Sequence, residues 1–261
     1  MIDPNVPIPP PTIPPTIPPP PIPPIPPFGR PDSAPGDQPE EREPIAGVLA
    51  VAEAMLRQPR RVMYQLQQPG SGRLIAAMLA VAILCLGIYG LIVGSFSGGM
   101  QLWAAPAKIV SGLLGAAFIC LPSLYIFTCL SGSQARLREV IGYVAGVLLL
   151  IGILLVGFAP VAWIFSQSTQ SLAWMGFLHL LFWFIASIFG LRFLGGGFAH
   201  AKARTNAGLY VWILIFLLTS LQMMTALRPL IGKADTFLPR EKMFFVTHWY
   251  HNVDAESETK H

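Results

Sequence analysis

Charged residues are scarce in this sequence, and acidic residues are almost missing from its middle. Asp, Glu, Lys and Arg make up 11% of the 261 residues, and 53% are hydrophobic, whereas soluble domains average about 25% charged residues. Glu139 is the single carboxylate between Ala54 and Ala234. A soluble fold with so few charges has too little polar surface to cover itself, so the composition excludes an ordinary soluble domain and indicates a membrane protein.

The residues that catalysis or metal binding would require are also few. Three cysteines all lie inside apolar runs: Cys85, Cys120 and Cys129. Their positions predict apolar packing rather than a disulfide framework or a zinc site. His248 and His251 lack a third firm metal ligand. Gly195-Gly196-Gly197 lacks the lysine of a phosphate loop and is interpreted as a loop or hinge. We therefore expect no enzyme activity, no cofactor and no metal, and the modest net charge of +4 gives no indication of a nucleic-acid partner.

Five apolar runs occupy the middle of the chain, each close to the length of about 20 residues that crosses a bilayer. They cover approximately residues 74–96, 109–130, 140–163, 172–191 and 207–227. The sequence predicts an all-α polytopic transmembrane bundle of about five spans over residues 73–227. Pro122 and Pro160 should kink two of these helices, because proline removes a backbone hydrogen bond.

Proline is concentrated before the spans. Residues 1–44 contain 19 of the 26 prolines, in irregular Ile/Thr-Pro-Pro units. Proline fixes φ and has no N–H, so this segment is predicted to be a disordered tail that forms a polyproline II rod over residues 7–27. After the last span, residues 228–261 form a polar and aromatic C-terminal tail that is too short for an independent domain.

An amphipathic juxtamembrane segment is predicted over residues 45–72. Its apolar residues recur at helical spacing, Pro59 must break or kink the helix, and an arginine cluster follows: Arg57, Arg60 and Arg61. One interpretation is an interfacial helix whose arginines contact anionic lipid headgroups. The other is a plain cytosolic helix–turn before the first span.

The basic residues of the short loops predict the orientation. With the N-terminus in the cytoplasm, the cytoplasmic loops hold five basic residues, Arg136, Arg138, Arg192, Lys202 and Arg204, and the opposite loops hold only Lys108. This bias follows the positive-inside rule. The basic C-terminal tail disagrees, but the first helix and the short loops usually dominate. We predict a multi-pass protein of an inner or plasma membrane with a cytoplasmic N-terminus.

Polar residues within the spans are rare. No Asp, Glu, Lys or Arg is expected at mid-membrane depth, which argues against an ion-coupled transporter. His179 is the one ionisable residue well inside a span, and Gln222 could be its partner by depth. His179 is either a functional proton-sensitive or interhelical group or a neutral histidine that a neighbouring serine or carbonyl satisfies.

Small residues recur four positions apart within the spans, as in the pairs Gly90/Gly94 and Gly142/Gly146. Such pairs let two helix backbones approach closely, and this contact drives helix association in lipid. The pairs are candidates for packing inside the bundle or for a dimer face.

The layout resembles the Yip1 family of membrane proteins. The resemblance lies in the stretch from Trp103 to Leu194, with LLGAAFICLPSLYIFTCLSGS around Pro122 and the Arg136/Arg138 loop, and it covers roughly residues 74–227. It implies five close-set spans behind a cytoplasmic N-terminal region. Eukaryotic members are implicated in vesicle trafficking through small GTPases, and bacterial members look like membrane-organising proteins.

The first functional hypothesis is a non-enzymatic membrane scaffold whose polyproline arm recruits a cytosolic polyproline-binding protein. The second is a small channel or permease with His179, Thr219 and Gln222 along its path. The third is an accessory subunit of a larger membrane complex, whose small-residue stripes bind other subunits or a second copy of the chain. The lipid bilayer is a partner under each hypothesis.

Overall fold

A computed structural model describes residues 35–97, 101–133, 135–168, 172–200 and 207–226 of the chain. These residues form one short 3₁₀ helix and seven α-helices, and no β-strand occurs among them. The helices are the 3₁₀ helix Pro39–Arg42, then α1 Val48–Arg57, α2 Pro59–Gln67, α3 Gly72–Ser97, α4 Gln101–Leu130, α5 Leu137–Ser168, α6 Leu172–His200 and α7 Ala207–Ala226.

Helices α3, α4, α5 and α6 are long and apolar enough to cross a membrane, and α7 is a shorter apolar helix. The prediction of an all-α, multi-pass membrane bundle is confirmed at this level. The proline-rich units and the C-terminal tail with His248 and His251 lie outside the described residues.

The long helices are arranged so that α3 and α5 form the centre. Helix α3 packs against both α4 and α5, α6 packs on the other side of α5, and α7 packs on α4. Helix α5 is surrounded most completely, because nearly every residue over 140–152 is buried. Chain order therefore does not match order across the bundle, since α7 follows α6 in sequence but packs against α4.

Helices α1 and α2 lie across one end of the bundle, which we call the capped end. Leu66 of α2 lies over Gly142 of α5, and Met63 lies beside Gly196 near the end of α6. Apolar residues of both short helices belong to the common core: Val51, Ala54, Met55, Val62, Met63 and Leu66. As predicted, the helix breaks at Pro59, which opens α2 at a position where its missing N–H costs no hydrogen bond.

Helix α4 begins at Gln101, so the loop predicted over residues 97–108 is wrong. Pro106 lies within the helix and packs on Gly90 of α3, where an added Cβ would stand 2.5 Å from the Pro106 Cα. This contact and the alanine-rich sequence favour helix despite the proline. As a consequence Lys108 lies inside an apolar helix, and only 2% of its surface is exposed.

The three consecutive glycines at residues 195–197 also differ from the prediction, because they are helical residues of α6 and not a loop or hinge. A Cβ at Gly197 would stand 2.6 Å from the Tyr143 ring, and one at Gly196 would stand 3.1 Å from Met63. The close packing of these larger side chains offsets the roughly 1 kcal/mol that a glycine costs in a helix.

Ordered structure begins before the predicted tail boundary at residue 44. The 3₁₀ helix Pro39–Arg42 packs on α2, and Glu41 is buried there. Composition alone did not reveal this contact, because residues 35–44 have no apolar face. They contact α2 through charged side chains instead.

Candidate functional site

His179, the one candidate ionisable residue of the spans, meets an aromatic partner from another helix. Its Nδ1 lies 2.6 Å from the Tyr89 hydroxyl of α3, and the two rings stand edge to face with centroids 5.7 Å apart. Only 4% of Tyr89 is exposed. The pair therefore links α3 to α6 in the half of the bundle away from the capped end.

His179 begins a row of polar side chains along one face of α6. Trp183 and Ser187 follow at intervals of four residues, so all three lie on the same side of the helix. Trp183 is 5% exposed and Ser187 is fully buried. We call His179, Trp183, Ser187 and the adjoining Tyr89 the polar stripe.

Three atoms of the polar stripe are buried without a hydrogen-bond partner among the residues that the structure describes. They are His179 Nε2, Trp183 Nε1 and Ser187 Oγ. Buried polar atoms normally have partners, and each exception has a cost of about 1–3 kcal/mol. The three atoms belong to residues on successive turns of one helix.

Towards the capped end, the polar stripe ends where α6 packs closely against α5. One turn beyond Ser187, Gly190 lies so close to α5 that an added Cβ would stand 3.1 Å from the Val147 carbonyl oxygen. Further on, the Phe193 ring fills the notch at Gly146, and Tyr143 fills the notch at Gly197. Beyond Ser187, α6 is thus packed closely against α5.

The structure does not bring His179 and Gln222 together. His179 is bonded to Tyr89 between α6 and α3, whereas Gln222 and Thr219 lie on α7, which packs against α4. The proposed partnership of His179 with Gln222 is therefore wrong in this structure. The three residues of the channel hypothesis do not line one path.

The arginine cluster Arg57, Arg60 and Arg61 lies at the capped end, and each member has an acidic neighbour within the chain. The closest nitrogen–oxygen distances are 3.5 Å to Glu53, 3.2 Å to Glu41 and 3.7 Å to Glu43, respectively. The first pair is exposed, whereas the second is largely shielded from solvent. Arg57 is thus the member most accessible to a lipid headgroup.

The pairs of Arg60 and Arg61 belong to an anchor, which we define as residues 35–45 together with their contacts to α2. Arg61 Nε donates to the Glu43 carbonyl at 3.0 Å, and the Gln65 side chain donates to the same oxygen. In return the Ile45 backbone N–H donates to Gln65 Oε1 at 3.1 Å. A cleft of about 360 Å³ lies beside the anchor, between residues 44–46 and α1.

Three of the candidate packing glycines meet neighbouring elements. Gly90 faces Pro106 of α4, Gly142 faces Leu66 of α2, and Gly146 faces Phe193 of α6. Gly94 is buried. The glycine pair on α5 thus contacts two different elements, α2 and α6.

Sequence reasoning missed Tyr89, Trp183 and Ser187, which are ordinary residues of apolar helices when taken singly. The spacing of His179, Trp183 and Ser187 at four-residue intervals was the available signal. It also missed buried Lys108, because the predicted span started after it. Within the described residues no group of three or more His, Cys, Asp or Glu side chains could hold a metal ion.

The fold and the polar stripe define a class, that of helical multi-pass membrane proteins with a largely apolar interior. No family model matches the chain, and no curated protein or solved structure matches it either.

Proposed function

We propose that the protein is a non-enzymatic membrane scaffold whose proline-rich arm recruits a cytosolic polyproline-binding protein. The observation that carries the proposal is the anchor, because it ties the chain to α2 directly after the proline-rich sequence. Glu41 accepts a hydrogen bond from the Gly36 N–H at 2.5 Å and pairs with Arg60 at 3.2 Å. Arg42 Nε donates to the Gly36 carbonyl at 2.7 Å.

A fixed attachment point suits a recruiting arm. Polyproline II is extended and pre-ordered, so a partner that binds it loses little conformational entropy. An arm attached to a rigid base also holds its partner within a limited distance of the bundle, which raises the local concentration of that partner.

The orientation that this function requires has the capped end in the cytoplasm. Seven arginines of the described chain lie at or beside that end: Arg42, Arg57, Arg60, Arg61, Arg73, Arg136 and Arg138. Lys108, counted as a basic residue of the opposite loops, lies within α4 instead. The charge difference between the two ends therefore supports a cytoplasmic N-terminus by the positive-inside rule. With α7 as the fifth span, the C-terminus lies outside, in keeping with the proposed resemblance to the Yip1 family.

Site-specific labelling tests this topology. In a cysteine-free background, Ser133→Cys next to α4 and Ser168→Cys at the end of α5 should react with a membrane-impermeant maleimide from opposite sides. Ser133→Cys should be protected in intact cells, and Ser168→Cys should be labelled. Labelling of both positions from the same side would contradict the proposed topology.

Comparative purification tests the scaffold itself. The full chain and a variant with Pro18, Pro19, Pro20 and Pro21 changed to alanine would be purified in a mild detergent, and associated proteins quantified by mass spectrometry. We expect a polyproline-binding protein at near-stoichiometric amounts with the parent and at least ten-fold less with the variant. The matched control is Glu53→Gln, at an exposed position of α1. This substitution leaves the arm unchanged. Equal recovery from parent and variant would exclude recruitment through the arm.

The polar stripe bears on the second hypothesis, a channel or permease. Its closed end at Gly190 and the separate position of α7 give no continuous polar path among the described residues. This favours the scaffold over a conducting pore.

A further inference from the structure

The polar stripe presents hydrogen-bond donors on one side. An indole N–H only donates, and the Ser187 hydroxyl is able to donate. For the His179 and Tyr89 pair, donation from the Tyr89 hydroxyl to Nδ1 uses the hydroxyl hydrogen and places the ring hydrogen on Nε2. The opposite arrangement leaves both the tyrosine hydrogen and Nε2 without partners, so the first leaves fewer groups unsatisfied.

The number of these donors sets how many acceptor atoms the site needs. His179 Nε2, Trp183 Nε1 and Ser187 Oγ are each buried without a partner among the described residues, and they belong to residues on successive turns of α6. One to three acceptor oxygens, each at about 2.9 Å from a donor, would satisfy all three atoms.

We propose that His179 Nε2, Trp183 Nε1 and Ser187 Oγ form an intramembrane binding site for a neutral molecule that accepts hydrogen bonds through oxygen. The occupant is uncharged because the stripe donates through neutral groups, and a buried ion without an opposite charge is costly. Two sources have this chemistry: water molecules, and the carbonyl oxygen of an apolar molecule dissolved in the membrane. The site does not depend on the scaffold function, since it lies in the bundle and not in the arm.

Removal of single donors tests whether the site is occupied. In the full chain, Trp183→Phe and Ser187→Ala each delete one donor and keep most of the side-chain volume. If an oxygen acceptor is bound, each variant loses a hydrogen bond, and its melting temperature falls by about 2–4 °C. If the donors are unpartnered, removal of a buried unsatisfied group leaves the melting temperature equal or raises it. The latter result would overturn the proposal.

A matched control separates this effect from the loss of any serine. Ser111 of α4 is exposed, and its hydroxyl already donates to the Ala107 carbonyl at 2.6 Å. The Ala107 carbonyl keeps its helical bond to the Ser111 backbone N–H after substitution. Ser111→Ala at this exposed position should therefore melt within error of the parent. A fall equal to that of Ser187→Ala would show a general effect of serine and would overturn the proposal.

Two further measurements identify the source of the acceptor. Solvent extraction of the purified protein followed by mass spectrometry should reveal a carbonyl compound that is depleted at least two-fold in Trp183→Phe, if the occupant is organic. If the occupant is water, the extracts of parent and variant match. In addition, the Trp183 indole N–H of ¹⁵N-labelled protein should exchange in D₂O at least ten-fold faster than the Trp212 indole N–H, which donates to the Cys120 carbonyl. Matching extracts together with slow Trp183 exchange would overturn the proposal.

Discussion

Helices α5 and α7 are both apolar along their length, yet they hold very different positions in the bundle. Helix α5 contacts α3, α6, α4 and the short helices of the capped end, and 61% of its most apolar window is buried. Helix α7 contacts mainly α4, and large side chains remain exposed on its other faces: Tyr210, Val211, Leu214 and Leu218. Hydropathy does not distinguish a central helix from a peripheral one, because lipid and protein interior are about equally apolar.

The difference lies in the small residues of α5. Gly142, Gly146 and Gly152 accept Leu66, Phe193 and the Ala82–Cys85 turn of α3, respectively. Helix α7 packs on one side only, where Leu209, Trp212 and Phe216 are buried. On that side Trp212 Nε1 also donates to the Cys120 carbonyl at 2.8 Å, in the same turn as Pro122. Close backbone approach on several sides thus accompanies the central position of α5, whereas α7 has one packed face.

The largest effect is expected at the centre of the bundle, for Gly146→Leu. A Cβ at this position would collide with the Phe193 ring, and leucine adds three more carbons. Separation of α5 from α6 should cost about 1–3 kcal/mol, measured as a lower melting temperature in the same detergent.

The matched control for that variant is Gly157→Leu on the same helix. No atom lies within 4 Å of a Cβ built at Gly157, so leucine there should enter open space or lipid at almost no cost. If both variants melt like the parent, the glycine notches do not hold α5 at the centre.

Gly90→Ala should have a smaller effect at the α3–α4 crossing. The added Cβ would stand 2.5 Å from the Pro106 Cα, and a backbone atom cannot turn aside as a side chain does. The overpacking cost of about 1–3 kcal/mol is partly offset, because alanine is a better helix former than glycine by about 1 kcal/mol. Gly87→Ala, where no neighbour lies within 4 Å, should melt at or above the parent. Equal melting of the two variants would show that this crossing tolerates separation.

At the capped end, charged contacts of the anchor add to the packing of Leu66 on Gly142, and two truncations measure what the charged contacts contribute. A chain that begins at Pro35 should melt like the full chain, because it keeps Glu41 and Glu43. A chain that begins at Ile45 loses Glu41 and Glu43, which pair with Arg60 and Arg61. It should be less stable by about 1–2 kcal/mol, because a lost hydrogen bond costs about 1 kcal/mol net and an exposed ion pair adds at most about 1 kcal/mol. Identical melting of the two chains would show that the anchor contributes nothing to stability.

Trp212→Phe tests the peripheral helix and should have the smallest effect. Phenylalanine keeps the stacking on Phe216 but loses the bond to the Cys120 carbonyl, at a cost of about 1 kcal/mol. Trp163→Phe, at an exposed position near the end of α5, is the control and should melt like the parent. A loss of stability larger than that of Gly146→Leu would show that the contact of α7 contributes more to stability than the centre of the bundle does.

Much of the fold could be predicted from the sequence, because span length and apolar composition follow directly from the thickness of the bilayer. The break at Pro59 was also predictable, since it depends on one residue's missing N–H. The helical state of residues 195–197 was not, because glycine is unfavourable in a helix until Tyr143 and Met63 pack against it. The position of Lys108 was misjudged for a similar reason. Helix α4 begins at Gln101 and not at residue 109, and its added turns include Pro106, which packs on Gly90 of α3.

The candidate site divides in the same way. His179 was recognisable because an ionisable residue inside a span is rare. Its partner Tyr89 lies 90 positions away in sequence, and no local pattern connects the two. Depth in the membrane suggested Gln222, but depth does not specify which helices are neighbours.

By itself, the sequence determined that this chain enters a membrane as helices behind a proline-rich segment, because both properties depend on local composition and on the solvent. Only the tertiary structure decided that α5 is central and α7 peripheral, that residues 35–45 are anchored on α2, and that His179 pairs with Tyr89. These features depend on which surfaces meet. In a lipid solvent that choice depends on contacts between residues far apart in the chain, and not on hydrophobicity.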